Sequence, residues 1–331
     1  MRFYLQKAWF YLVALWAAVT LNFIIPRLMP GNPVDTLLSK MSAAGIPITP
    51  HTRAALSLQL GGVDSGSITS QYFHYLDNLL HGNLGTSLVD YPTSVIHLIG
   101  QALPWTLCLV GMATVISFLL GTALGLLAGW KRGSWLDNSI PVAIMFQAVP
   151  YFWLALIFVL VLTRYSHVFP FAGGYNAEAG ITPGFTAAFI GSALYHAVLP
   201  ALTIVLSSLG GWMIGMRNMT VATLSEDYVV TAEAKGLRPW RVLRTYVARN
   251  AVLPSMSGFA ITLGFVVAGS IVLENVFSYP GIGTLLWQAV SSDDYPLMQG
   301  VFLVISLSVL AANLVMDLLY GVMDPRTRVR A

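Results

Sequence analysis

Ser192 and His196 stand four residues apart, a spacing that puts both on one face of a helix. A serine hydroxyl attacks a carbonyl only with a base beside it, so the pair is a candidate for intramembrane hydrolysis. Proteases of that kind draw the dyad from separate helices, and a lone Ser/His pair reads first as packing. His74 and His81 also share a helical face. Two turns separate them, too far to hold one metal without a third ligand, so solvated or capping histidines are expected. No histidine is followed by glutamate, which removes the zinc-helix signature. A phosphate-binding loop needs a glycine-rich turn ending in Lys-Ser or Lys-Thr. The four lysines are followed by Ala8, Met41, Arg132 and Gly236. Nucleotide hydrolysis therefore belongs to another chain, and no enzyme activity or cofactor is expected in this one.

Ionisable groups inside apolar segments default to functional candidates, and here they are scarce. Glu274 and Asp317 lie toward the ends of apolar runs, whereas proton- or sodium-coupled carriers use buried carboxylates near the midplane. Glu274 precedes the turn at Pro280-Gly281. There, with water near, a carboxylate is expected to accept charge-assisted bonds from backbone N–H groups. The polar residues left for a translocation pathway are Gln147, Ser306, Ser308 and Asn313. Each is equally suited to packing between helices. Cys108 is the single cysteine, so no intramolecular disulfide forms and a packed apolar thiol is expected.

The chain that carries these residues is 56% hydrophobic and 9% charged over 331 residues, against about 25% charged in soluble domains. A mean hydropathy of +0.71 defines an integral membrane protein. Charge-free blocks long enough for about 20 apolar residues place six spans near 8–28, 103–130, 139–163, 194–216, 255–279 and 297–321. Pro150 is expected to kink the third. Of the 17 Lys and Arg residues, all but Arg27, Lys40, Arg53 and Arg164 fall on the side that holds both termini. That side is cytoplasmic by the positive-inside rule. The first apolar run exceeds the about 7–15 residues of a signal-peptide core, so it reads as an uncleaved span.

Two segments outside the spans are longer than turns. The extracytoplasmic insert, 30–100, carries helix signals: Thr49-Pro50 opens a stretch to Leu60, and Ser70 caps a helix with Tyr72, Phe73, Leu76, Leu79 and Leu80, closed by Gly82. The cytoplasmic loop, 217–254, carries Glu226, Asp227, Glu233, Lys235, Arg238, Arg241 and Arg244. Ser225 is the expected N-cap, with acidic residues in the first turn where the dipole favours them. Gly236 is the expected left-handed stop, and Pro239 the N1 of a second, basic helix. A helix, a glycine hinge and a helix, without an evident partner in the same chain, suit an external grip. The organisation is therefore a first span (1–29), the insert (30–100) and a five-helix core with the loop (101–331).

These residues resemble the ABC importer permeases of the dipeptide/oligopeptide/nickel class over essentially the whole chain. Pro30-Gly31-Asn32-Pro33-Val34 is similar to the Pro-Gly-Asp-Pro block after the first span, with Asn32 for the commoner aspartate. Gly82-Asn83-Leu84-Gly85-Thr86-Ser87 and Leu103-Pro104-Trp105-Thr106-Leu107 resemble the next stretch. Thr231 to Leu237 and Arg249 to Pro254 resemble the coupling loop, and Glu274 to Gly283 with Asp324-Pro325-Arg326 complete the match. The generic loop opens with Glu-Ala-Ala six residues before its glycine. Val230 stands there, so Glu233 is not the counterpart of that glutamate.

The resemblance implies an all-α, six-helix B-type permease, multi-pass in the bacterial inner membrane. It implies a C-type permease partner, two ATPase subunits binding ATP and Mg, and an extracytoplasmic substrate-binding protein; nucleic acid has no part. Peptides are the expected cargo, with oligosaccharides or nickel chelates as other solutes of the class. An autonomous channel or carrier is the rival reading. On the coupling loop it implies ATPase coupling, with apolar docking through Tyr228, Thr231, Ala232, Ala234, Leu237 and Trp240, Gly236 between the helices, and a rim of Lys235, Arg238 and Arg241.

Overall fold

The computed structural model describes residues 2–28, 38–39, 42, 49, 67–264, 266 and 271–323; side chains of 2–8, 26–27 and 316–323 are outside that description. The expected helix from Pro50 to Leu60, the whole Pro30-Gly31-Asn32-Pro33-Val34 block, the Asp317 side chain and the Asp324-Pro325-Arg326 block lie outside the described residues.

The described chain is helical, with a single isolated bridge between Thr86 and Ser94. Helix α1 is Arg2–Leu28 and α2 is Ile68–Leu80. Val95–Trp130 runs unbroken as α3, starting well ahead of the expected 103. Its first turns, Val95-Ile96-His97-Leu98-Ile99, are apolar, but Pro92, Ser94 and Gly100 around them have the look of a loop. Helices α4 (Trp135–Ala148) and α5 (Tyr151–Tyr165) meet at 93°. The kink expected at Pro150 is thus a full break: Val149 takes extended backbone (φ −77, ψ 127) and Pro150 caps α5. Helix α6, Ala187–Leu224, overruns its expected span at both ends.

Helix α7 is Asp227–Ala234. Pro239–Arg241, Val242–Ala248 and Arg249–Gly264 continue into one another as α8, so the basic loop helix and the start of the fifth span are one rod. Pro254 sits inside it rather than at its boundary. Short helices α9 (Ile271–Val276) and α10 (Ile282–Ser291) precede α11, Tyr295–Met323. Among the described residues, α3, α6 and Tyr295–Val315 are long and apolar enough to cross a membrane, and α4 with α5 make a fourth if they form one span. In α1 the apolar stretch is Trp9–Ile25.

The most extensive contact between described helices is that of α3 with α6. Gly121, Gly125 and Gly129 lie one turn apart along α3 and let the backbones meet. A Cβ on Gly125 would collide with the Met213 carbonyl and one on Gly129 with Thr220. Ser117 and Ser208 hydroxyls bond across the same seam at 2.7 Å. On the other side of α6, Gly210 accepts the Ala143 backbone of α4 equally closely, so α3, α4 and α6 share a core of Ala128, Ile140 and Met213.

Toward the Val95 end of α3, Val95, Ile99 and Ala102 pack against Ile282, Leu286 and Ala289 of α10 and Leu297 and Val301 of α11. Helix α1 joins this end through Asn22, which donates to the Gln299 carbonyl at 2.8 Å. Phe23 is buried between Tyr72 and Tyr75 of α2. The N-cap of α2 is Ser67, whose hydroxyl accepts from the Ser70 N–H, so the cap lies one turn before the expected Ser70. Gly82 is left-handed (φ +70), as its position required. Phe73 and Leu80 point outward, off the face expected for them. Trp9, Trp16, Leu119 and Trp153 are likewise exposed, an apolar exterior suited to lipid.

Gly125→Ala should lower the thermal midpoint, since overpacking a tight contact costs about 1–3 kcal/mol. Gly100→Ala, where a Cβ meets nothing within 4 Å, should leave it level or raised. Equal midpoints for the two variants in the purified protein would disprove the seam.

Candidate functional site

Helix α6 ends at Leu224, where the Ser225 hydroxyl donates to the Ala222 carbonyl. Ser225 therefore closes α6, and Glu226, with extended backbone (φ −75, ψ 139), opens α7. The expected N-cap is displaced by one residue because the serine is already used by the preceding helix. Asp227 sits in the first turn, where the helix dipole favours an anion. Gly236 takes φ +70, a conformation open to glycine at little cost. Pro239 then opens α8 at its first position.

One face of this helix–hinge–helix knob is packed on its own chain. Val229 and Ala232 are buried with Val242, Leu243 and Val247, against Leu126 and Trp130 of α3 and Leu224 of α6. Leu237 closes the edge of the same cluster. Ala232 and Leu237, expected in the docking set, therefore face inward and anchor the knob. The expectation of no intrachain partner is corrected with them: an eight-residue helix is too short to stand alone. The outer face carries Tyr228, Thr231, Ala234, Lys235, Gly236, Arg238, Trp240 and Arg241, all exposed. Trp240 is 65% accessible, and Tyr228 is exposed on the same knob. Aromatic surface ringed by three cations is the composition of an interface hot spot.

Beside the knob, Arg217 of α6 grips Asp137 of α4 through Nε at 2.8 Å and Nη2 at 3.3 Å. The Gly133 N–H adds a bond to the same carboxylate. The arginine bond first, and that N–H second, hold Asp137 below the usual carboxylate range. A depressed folded-state value means that the tie is present at neutral pH. It is lost only as pH falls through that lowered value.

The pathway candidates do not form one patch. Gln147 sits on α4, exposed, opposite Gly211 of α6. Ser306, Ser308 and Asn313 are half-buried along α11, whose main neighbours are α1, α8 and α10. Cys108 is exposed rather than packed and lies on a widened turn of α3, Leu107–Gly111. Ser192 and His196 are no dyad. The Ser192 hydroxyl accepts from the Asn176 N–H, and the His196 ring bonds the Ser192 backbone carbonyl. His81 caps α2 on the Asp77 carbonyl. Among the described residues no His, Cys, Asp and Glu group is arranged to hold a metal.

Glu274 is fully buried and not, as expected, at a solvent-accessible helix end. Oε1 accepts from the Thr106 hydroxyl at 2.8 Å and Oε2 from the Gly283 N–H at 2.7 Å. Thr106 in turn accepts from the Ile282 N–H. The carboxylate thus binds the turn after Pro280 to α3, the structural work expected of it. Gly281 leaves it room, since a Cβ there would strike the carboxylate.

Asp294 was not anticipated. It is wholly buried and accepts from the Ser87 hydroxyl and the Leu88, Val89 and Leu297 N–H groups. Its sequence signal was legible: an Asp two residues before Pro296, opening a long apolar run, is an N-cap pattern.

Residues 121–329 match the family of binding-protein-dependent transport system inner membrane components. The chain belongs to this family. A protein of Brucella suis biovar 1 named as a peptide permease is 34% identical over 330 residues, 99% of each chain. The di/tripeptide transport system permease of Pseudomonas aeruginosa is 33% identical over 321 residues, 93% of each. The oligopeptide transport system permease of Bacillus subtilis is 30% identical over 310 residues, 92% of each.

Glu274→Ala strands the Thr106 hydroxyl and the Gly283 N–H, each unmet buried group costing about 1–3 kcal/mol. The yield of folded protein should fall sharply. Glu274→Gln keeps an acceptor for Gly283 and should restore most of the yield. Quantified membrane-fraction blots check both, and a Gln variant as depleted as the Ala variant would refute the backbone-acceptor role.

Proposed function

We propose that this chain is the B-type permease of an ATP-driven peptide importer in the bacterial inner membrane. In this reading six spans are threaded with both termini in the cytoplasm. A C-type permease completes the translocation pathway, two ATPase subunits bind ATP and Mg, and an extracytoplasmic protein delivers the peptide. The chain itself hydrolyses nothing.

The observation that carries the reading is the α7–α8 knob. Its inner face is locked onto α3 and α6 by Val229 and Ala232, while Tyr228, Ala234, Trp240 and the cations Lys235, Arg238 and Arg241 remain outside. A rigid anchor with an unfilled aromatic and basic exterior is what an ATPase groove needs in order to push on spans. Closure of the ATPase pair around ATP then moves the knob, and with it the helix pair, as a rigid body that opens one side of the membrane and closes the other. Gln147, Ser306, Ser308 and Asn313 remain the pathway candidates, and their separation within this chain fits a passage completed by a second permease. Peptide cargo follows from the peptide systems to which the Pseudomonas and Bacillus relatives belong.

Ala234→Trp places a ring on the outer face without touching the packed one. ATP hydrolysis should then proceed without peptide uptake, and uptake in proteoliposomes should fall at least tenfold, the loss of about 1.4 kcal/mol of coupling. Undiminished uptake would refute the docking face. Exposed Glu178 and Glu233 test the threading. Glu178→Cys should react with an impermeant thiol reagent in spheroplasts and Glu233→Cys only after lysis, judged against a Cys108→Ala background; the reverse pattern would invert the topology.

A further inference from the structure

Helix α5 ends in a notch that the importer reading leaves unused. A cavity of about 320 Å³ is lined by Thr163, Arg164, His167, Phe169 and Phe171. Arg164 is exposed and makes no ion pair among the described residues. The Thr163 hydroxyl in the wall is buried with no hydrogen-bond partner among them, an unmet group of the kind that native interiors avoid. The notch is built rather than frayed. His167 is held left-handed at φ 52, and the Val168 and Phe169 N–H groups both return to the Leu162 carbonyl. The Tyr195 hydroxyl of α6 donates to the Val168 carbonyl.

A second feature continues from it. Trp153, Ile157, Leu160 and Val161 are exposed along the run of α5 that leads to Arg164. From Trp153 to Arg164, at 1.5 Å per residue, the distance is about 16 Å, close to half of the ~30 Å hydrocarbon thickness and so to one leaflet's acyl chains. Tyr165 and Phe171 are exposed beside the cation, the aromatic setting found where a helix leaves the hydrocarbon.

We propose that this notch binds the phosphate of an anionic glycerophospholipid, with one acyl chain lying along α5. Arg164 supplies a forked, permanently charged donor, the side chain best matched to phosphate oxygens. His167 adds a second ring-nitrogen donor, and buried Thr163 forms the wall behind the two. Phe169 and Phe171 exclude water from one side, which strengthens the charge–phosphate contact. A peptide carboxylate would also suit Arg164, but it has no use for an exposed apolar track ending at the cation. The site depends on the chain lying in a bilayer and not on which solute the importer carries.

Native mass spectrometry of the purified complex, incubated with equimolar phosphatidylglycerol and phosphatidylcholine, tests it without ATP or peptide. A loss of importer function in other assays therefore does not bear on this result. Phosphatidylglycerol should be retained preferentially. Arg164→Gln should weaken retention about tenfold, the size of a hydrogen bond to a charged group, while Arg164→Lys keeps most of it. Arg244→Gln, at the far end of the molecule, should change nothing. If Arg164→Gln does not assemble, His167→Asn, which tolerates the left-handed backbone, is read instead and should weaken retention about threefold. Equal retention of the two lipids, or an Arg164→Gln or His167→Asn variant that holds phosphatidylglycerol as the parent does, overturns the proposal. Displacement by millimolar inorganic phosphate would reduce the notch to a free-anion site, and displacement by millimolar dialanine would make it a peptide site. Either overturns it as well.

Discussion

The contact between α3 and α6 at Gly121, Gly125 and Gly129 holds the two longest described helices at backbone distance. In lipid no hydrophobic effect drives helices together, since the hydrocarbon is as apolar as leucine. Cohesion must come from close packing and from hydrogen bonds across the seam. Glycines one turn apart supply the first and the Ser117–Ser208 pair supplies the second. Several other elements seat on this pair. Helix α4 seats on the opposite side of α6 at Gly210, α9 and α10 seat on the first turns of α3, and the α7–α8 knob seats on its last turn.

That arrangement gives the knob a route to the far end of the molecule. Leu126 and Trp130 of α3 support Val229 and Ala232 at one end. At the other, Thr106 of the same helix holds Glu274, and through it the turn at Gly281-Gly283. Trp105 stacks on Tyr175 and meets Tyr279 edge-on. The exposed face of α7, on which the proposed coupling would push, is thus joined to the turn beyond Pro280 by one continuous helix of 36 residues, about 54 Å long at the usual rise. Arg217–Asp137 ties the start of α4 into the same block, which joins three helices through direct contacts.

Much of this was legible in residue order. Charge-free runs located the long helices, and Gly236 with Pro239 marked the hinge and restart of the knob because only a left-handed stop and an N1 proline fit there. Helix ends were harder. Ser225 and Ser70 have the chemistry of N-caps, but a neighbouring helix or a better-placed serine had already taken that role. Such competition depends on where the previous helix stops. Which face of α7 turns inward was hidden as well, since Ala232 and Ala234 are chemically identical and only the position of Trp130 distinguishes them. The break at Pro150 was visible as a proline, but its 93° angle comes from the packing of α4 and α5 on α6. Glu274 shows the same limit: its acceptor role followed from the nearby turn, whereas its complete burial depends on Thr106, distant in sequence.

Rigidity of the block formed by α3, α6 and the knob is most directly tested by electron–electron distance measurement. Spin labels at the exposed positions Lys131, on the end of α3, and Val230, on α7, are read in the assembled complex with and without ATP. A rigid pair predicts an unchanged Lys131–Val230 distance, while the distance from either label to the second permease shifts on nucleotide binding. A Lys131–Val230 distance that changes by several ångströms with ATP, while both stay fixed relative to the second permease, would show that the knob moves on its own and contradict transmission through the glycine seam.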